Sequence, residues 1–246
     1  MIAIVGTRRL TDYGKRVTYE LAGELARAGF PIVSGLALGI DAVAHQAALD
    51  AGGITVAVMA GGLDRVYPGS HRQLARDILA TGGALVSEYA PGEEPHKYRF
   101  LERNRIIAGL SVGTVLTESG AVGGALRTAQ FTLDYNRTLM AVPGDITRST
   151  AAGPNNLIRS GAAAVTSSAD VLEALGYNTA AIPTRAVQAQ NSHEARIIKS
   201  LRSGLSRGQE LIDATGLDAA EFASLISLME LTGKVRNLGA GLWAVR

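Results

Sequence analysis

The sequence predicts an α/β protein, a doubly wound and mostly parallel sheet followed by a small helical module, on three observations. Short β-branched or apolar runs alternate with segments of helical periodicity as far as Leu175. Glycine-rich turns follow most of those runs. At Gly176 the texture changes, and beyond it lie three helical patterns and a hairpin. Continuously apolar strands joined by crossover helices imply a parallel sheet buried on both faces, which is the Rossmann-like architecture.

Strands are expected at Ile2–Val5, Pro31–Ser34, Ile54–Met59, Ala84–Ser87, Thr114–Thr117 and Thr138–Val142, with Ala164–Thr166 as an edge strand. Between the first two, Val17, Leu21 and Leu25 recur every four residues and form the apolar stripe of a helix. Comparable helices are expected at Asp41–Ala51, His71–Ala80, Arg103–Leu110 and Ala125–Tyr135, and shorter ones at Asn155–Gly161 and Ala169–Leu175. Residues 178–191, rich in Ala, Thr, Gln and Pro with Arg185 as the sole charge, read as a linker. The domains are therefore expected at 1–177 and 192–246. In the second, His193–Arg202 is helical, Ser206 with Gln209 and Asp218 with Glu221 have capping-box spacing, and Gly239-Ala240-Gly241 turns a hairpin. Three helices and a hairpin spell a winged helix-turn-helix module.

Composition removes whole chemistries. With no cysteine there is no disulfide, thiolate nucleophile or Cys-ligated metal. No apolar stretch reaches the ~18–20 residues of a membrane span, and no leader pattern opens the chain, so a cytoplasmic protein with no membrane partner is expected. The net charge of +2 does not announce a nucleic-acid binder. Its distribution is more telling: residues 1–177 carry 16 cations and 16 acids, yet Lys97–Arg105 holds four cations against Glu102 alone.

Ligands of such sheets bind at the carboxyl edge, where helix N-terminal amides lack partners. Here Gly6-Thr7-Arg8-Arg9, Ser34–Asp41, Gly61-Gly62 and Gly120–Gly124 follow four of the strands. One glycine turn alone is as readily a tight turn as a site; four on one edge favour phosphate. Neither a P-loop nor a dinucleotide fingerprint is present, which points away from ATP and NAD and leaves no cofactor expected. His96-Lys97-Tyr98-Arg99-Phe100 interleaves rings with cations, the chemistry that single-stranded nucleic acid requires. If that segment were extended, its rings and cations would point to opposite faces. No catalytic constellation stands out: Asp41 and His45 lack the further ligands of a metal site, and Glu88 and Glu118, at strand ends, are the general acid–base candidates if an enzyme is hidden here. No catalytic residue and no metal are expected.

Six ordered motifs resemble the DNA-processing protein A (DprA/Smf) family: Ile4–Arg8, Ser34–His45, Gly62–Pro68, Arg103–Ser111, Gly124–Ala129 and Ala141–Gly144. The resemblance implies an extended Rossmann fold that binds single-stranded DNA, forms a homodimer, protects incoming DNA and delivers it to the RecA recombinase during natural transformation. It places the strand against Arg8, Lys97 and Phe100, with Ser34, Gly35, Gly123 and Gly124 offering backbone amides. Arg103 or Arg105, on the following helix with Asn104, is expected to contact phosphate as well, and Tyr98 to stack a base together with Phe100. Leu101 stands where the family has proline, and Gly123 where serine is common. Many members carry a helical domain before the first strand, so contacts made there are expected to be missing.

The C-terminal module resembles the family's winged-helix domain, a shape suited to duplex DNA. Its third helix, Ala219–Leu231, contains no Lys or Arg, and residues 192–246 balance 7 cations against 6 acids, which favours a protein-contact or regulatory role. Two other functions stand as alternatives. A LOG-type phosphoribohydrolase would need a P-G-G-x-G-T-x-x-E loop where this chain has Glu118–Leu126, and a winged-helix transcription regulator would read duplex through the C-terminal module.

Overall fold

The computed structural model describes residues 1–177, 189–239 and 241–245. Most of the expected linker, and Ala240 of the hairpin turn, lie outside the described residues. The chain divides into two compact units, Met1–Ile182 and Pro183–Arg246.

The first unit runs β1 (Ile2–Val5), α1 (Asp12–Arg27), β2 (Ile32–Ser34), α2 (Ile40–Asp50), β3 (Thr55–Val58), α3 (Arg72–Ala80), β4 (Ala84–Val86), α4 (Lys97–Leu110), β5 (Gly113–Leu116), α5 (Gly124–Asp134), β6 (Thr138–Ala141), α6 (Ala152–Arg159), β7 (Ala163–Ala164) and α7 (Ser168–Ala174). Its seven strands are all parallel, in the order β4-β3-β2-β1-β5-β6-β7. The alternation of side chains along a strand decides which layer each residue joins. Ile2 and Ile4 of β1, with Val115 of β5 and Met140 of β6, meet Leu21 and Leu25 of α1 and Ala44 of α2. Ala3 and Val5, with Leu116, face the other way and meet Ile107 of α4, packed with Leu126 of α5 and Leu157 of α6. Both faces are covered, which is why these strands are apolar throughout rather than alternating.

Most boundaries fall within a residue of expectation, and three elements depart further; α6 starts at Ala152, three residues before the expected Asn155. The last strand is Ala163–Ala164 rather than 164–166, with Val165 fully buried just beyond it. More consequentially, α4 starts at Lys97, six residues before the expected start at Arg103. Nothing local favours that start, since its first turn has no acid and carries cations against the helix dipole. The turn is held from outside: the Arg99 guanidinium pairs with Glu93, donates to the Glu94 carbonyl at 2.8 Å and lies 4.6 Å from the Tyr89 ring centroid. Tertiary contacts override the strand-like alternation of His96–Phe100.

In the second unit α8 (Ser192–Arg202), α9 (Gly208–Thr215) and α10 (Ala219–Leu231) precede the antiparallel pair β8 (Val235–Gly239) and β9 (Leu242–Val245). Ile197, Leu211, Phe222, Ile226, Met229 and Val235 form its core. Asp218 caps α10 as expected, accepting the Glu221 amide at 2.8 Å. At α9 the expected Ser206–Gln209 box is displaced by one residue: the Glu210 carboxylate reaches back to the Arg207 amide at 3.3 Å. The buried Glu194 carboxylate takes the Lys234 ammonium at 2.6 Å and pins the first turn of α8 to the entry of the hairpin.

Candidate nucleic-acid interface

The strand order reverses direction between β1 and β5, and in open α/β sheets ligands bind outside the carboxyl ends of the strands at that switch. The two loops bounding it touch: the Thr7 amide donates to the Glu118 carbonyl at 2.7 Å. Only glycine permits this approach at position 6, because a Cβ there would lie 2.6 Å from Ile40 and 2.8 Å from the Glu118 carbonyl oxygen.

On the β1 side the exposed Arg8 lays its guanidinium 5.2 Å from the centroid of the Phe100 ring, on the first turn of α4. Tyr67, from the loop after β3, sets its ring 5.6 Å from Phe100 at 57° and is 52% exposed. Lys97 and Phe100 are three residues apart on a helix and so share a face, which the extended geometry would have prevented. Lys97 is exposed and makes no ion pair among the described residues. Gly123 and Gly124, both exposed, open α5 without a side-chain cap, so the first amides of that helix face outward without intrahelical partners. The Asn104 side-chain amide donates to the Gly124 carbonyl at 3.0 Å and ties this turn to α4.

Beneath the crevice the Ser34–Asp41 loop is held from inside. The Ser34 hydroxyl donates to the Ile4 carbonyl at 2.6 Å, and the Asp41 carboxylate accepts the Gly35 amide at 3.1 Å and the Ala37 amide at 3.4 Å. Arg103, 3% exposed, donates to the Gly35 carbonyl at 2.7 Å and to the Val58 carbonyl. Burial raises the Asp41 pKa against the opposing pull of Arg103, and burial, partly offset by Asp41, lowers that of Arg103 to about 10. His45 completes the support: its Nε2 accepts the Leu36 amide at 3.3 Å and its Nδ1 lies 2.7 Å from the Thr55 hydroxyl, whose proton goes to the Ile32 carbonyl. These partners leave the proton on Nδ1 of a neutral ring. Burial, aided by the charges of Arg103 and His71, lowers the His45 pKa to about 3.

The sequence-predicted residues therefore separate. Arg8 and Phe100 touch, Lys97 shares their helix face, and Gly123–Gly124 is tied to the same helix; Ser34, Gly35 and Arg103 lie under them. The Gly35 amide, expected to face phosphate, is taken by Asp41, and Arg103 is an internal brace rather than a surface cation. Arg105 is paired with Glu88, and Arg99 with Glu93. The local excess of positive charge in Lys97–Arg105 is thus largely answered by acids a few residues upstream, leaving Lys97 as its unpaired cation. Tyr67 is the ring that sequence reasoning passed over, although Tyr67-Pro68 closes the glycine turn after β3.

The acid–base candidates are likewise occupied. Glu118, 2% exposed, accepts the Thr11 amide at 2.9 Å, the Thr11 hydroxyl at 2.6 Å and the Thr150 hydroxyl at 3.1 Å, bracing the start of α1. Among the described residues no group of three or more His, Asp or Glu is placed to hold a metal ion, and no helix is long and apolar enough to cross a membrane.

Fold and crevice together define an extended Rossmann-like α/β protein whose switch point offers cations, rings and helix amides. Within that class the chain belongs to the DNA recombination-mediator protein A family, whose model matches residues 1–176. A relative from Mycobacterium tuberculosis is 39% identical over 249 residues, covering 99% of this chain and 64% of the relative. The X-ray structure of DNA processing protein A from Streptococcus pneumoniae superposes with a TM-score of 0.65 at 40% identity, covering 70% of this chain and 60% of that one. DNA processing protein A from Helicobacter pylori, whose structure is described in terms of a single-stranded DNA binding mode, gives 0.65 at 33% identity, covering 72% and 81%. The chain thus spans a little under two thirds of the length of the Mycobacterium relative it matches.

Proposed function

We propose that the first unit binds single-stranded DNA at the β1/β5 switch. The observation that carries the reading is the Arg8 guanidinium resting on the Phe100 ring beside the unpaired Lys97. Phosphates would meet Lys97, the Gly123–Gly124 amides and Arg8, drawn off the Phe100 ring, and a base would take its place on that ring with Tyr67 beside it. Ser34, Gly35, Arg103 and Asn104 would shape this surface from beneath, and Arg105 would stay with Glu88. The H. pylori relative's single-stranded DNA binding mode supports the assignment. Protection of incoming DNA, delivery to the RecA recombinase during natural transformation, a homodimer and a cytoplasmic setting complete the proposal and rest on family membership. The role is one of binding rather than catalysis, supported by the three hydrogen bonds that Glu118 already accepts. The 178–191 linker and the regulatory or protein-contact role of the C-terminal module, read as a winged helix, belong to the same proposal.

Labelled oligo-dT is expected to bind more tightly than duplex of equal length. Arg8→Ala and Lys97→Ala are each expected to weaken it about fivefold to tenfold, the worth of one charge-assisted contact. Equal affinity for duplex, or indifference to both substitutions, would overturn the assignment.

A further inference from the structure

The crevice does not end at Gly124. Along α5, Arg127, Phe131 and Tyr135 recur every four residues and so form one stripe on the helix surface. The Arg127 guanidinium lies 5.1 Å from the Phe131 centroid, and the Phe131 and Tyr135 rings are stacked, 6.3 Å apart with 21° between their planes. Arg127 is exposed and makes no ion pair among the described residues, and the first turn of α5 contains no acid. Tyr135 is 42% exposed, beside Gly109 of α4, where even an added Cβ would stay 3.7 Å from its ring. Cation-on-ring and ring-on-ring pairs at this spacing could merely steady a helix, at a few tenths of a kcal/mol. That role calls for neither an unpaired cation at the phosphate-facing end nor a ring left open to solvent at the other.

We infer that this stripe is a second stacking platform, over which a single strand leaving the crevice past Gly123–Gly124 continues along α5. The inference rests on the crevice reading. Continuity argues for one occupant: the stripe begins in the same first turn whose amides face the crevice, and Asn104 fastens that turn to the helix bearing Lys97 and Phe100. Charge argues for it too, since Arg127 would neutralise a phosphate at the end of α5 whose first turn holds no acid. The eight steps from Arg127 to Tyr135 rise roughly 12 Å at about 1.5 Å per residue. That is room for about three stacked nucleotides at about 3.4 Å each.

The test compares oligo-dT of about 6 nucleotides, enough for the crevice, with oligo-dT of about 20. On the full chain, Arg127→Ala and Tyr135→Ala are expected to leave the short oligomer's affinity unchanged and to weaken the long one about tenfold, while thermal melting stays as in the parent. Tyr135→Trp, in a Trp243→Phe background, is expected to keep the long-strand affinity and to show indole fluorescence quenched by the long oligomer but not the short. An α5 stripe with a merely structural role would give neither the length dependence nor the quenching, and either absence overturns the inference. Failure of the parent to bind the short oligomer at all would instead overturn the crevice reading beneath it.

Discussion

Arg103 separates two accounts of the site. As a surface phosphate ligand it could be lost with little effect on stability; as the internal brace seen here it could not. Arg103→Met keeps an unbranched chain of similar reach and removes the guanidinium, with its bonds to the Gly35 and Val58 carbonyls and its charge opposite the fully buried Asp41. Leaving a buried charge without its counter-charge costs several kcal/mol, with roughly 3–5 kcal/mol as the upper case of a direct ion pair. A second route gives a similar figure. With Arg103 gone, Asp41 escapes by taking up a proton, and holding a carboxyl of ordinary pKa ~3.9 neutral at pH 7 costs about 4 kcal/mol at ~1.4 kcal/mol per unit. The sign follows: the variant's folded state holds a proton that the unfolded chain releases, so its stability should rise as pH falls from 7 toward 4. Urea unfolding followed by far-UV circular dichroism measures this, because the single Trp243 lies in the other unit. Arg103→Met/Asp41→Asn should recover much of the loss, since neither charge then remains buried. A single variant within about 0.5 kcal/mol of the parent, but with oligo-dT binding abolished, would refute the brace and make Arg103 a phosphate ligand.

Two further outcomes follow from the same geometry. His45 is held neutral with its pKa near 3, so unfolding takes up a proton below about 6.5; its contribution is whole above that pH and should fall by up to ~1.4 kcal/mol per unit as pH drops from 6.5 toward 3. His45→Asn should flatten that slope, and a slope that survives would place the uptake elsewhere. In salt titrations of a short oligo-dT, contacts by Arg8 and Lys97 alone predict a log–log slope of about −1.4, at −0.7 per phosphate neutralised on a single strand. A slope near −3.5 would mean that Arg99, Arg103 and Arg105 also leave their present partners for the strand.

The fold was legible because both sides of the sheet write to the same strands. Ile2 and Ile4 answer to α1, Ala3 and Val5 to α4 and α5, and only a doubly covered parallel strand is apolar at all four positions. Three of the four glycine turns were legible for a similar reason, since Gly6, Gly35 and Gly62 each mark a close approach that a Cβ would obstruct, whereas Gly123 and Gly124 have room for one. What stayed hidden was pairing. Glu88 and Glu93 lie outside the window in which Lys97–Arg105 looked strongly basic, and which carboxylate meets which guanidinium is decided by the turn before α4, not by spacing. The start of α4 was hidden by the same contacts, because Arg99 is fixed by Glu93, Glu94 and Tyr89 against its own helix dipole. Arg103 and Arg105 differ by two residues, and their opposite fates follow from the 3.6-residue turn only once the helix start is known.

This pairing bears on how a chain with a net charge of +2 could favour one strand over two. If the cations of Lys97–Arg105 were all free, the site would attract any polyphosphate, and duplex, with its denser charge, would compete well. With Arg99 and Arg105 bound to acids and Arg103 inward, the formal charge at the crevice falls to Arg8 and Lys97, and Arg8 is itself seated on a ring. Helix amides at Gly123–Gly124 add attraction for phosphate without adding a mobile charge. The remaining affinity would then come from the ring faces of Phe100 and Tyr67, which an unpaired base can stack on and a paired one cannot. On the proposed reading, a weakened long-range field together with ring faces that a base can take over from Arg8 is what would convert a general anion site into one selective for single strands.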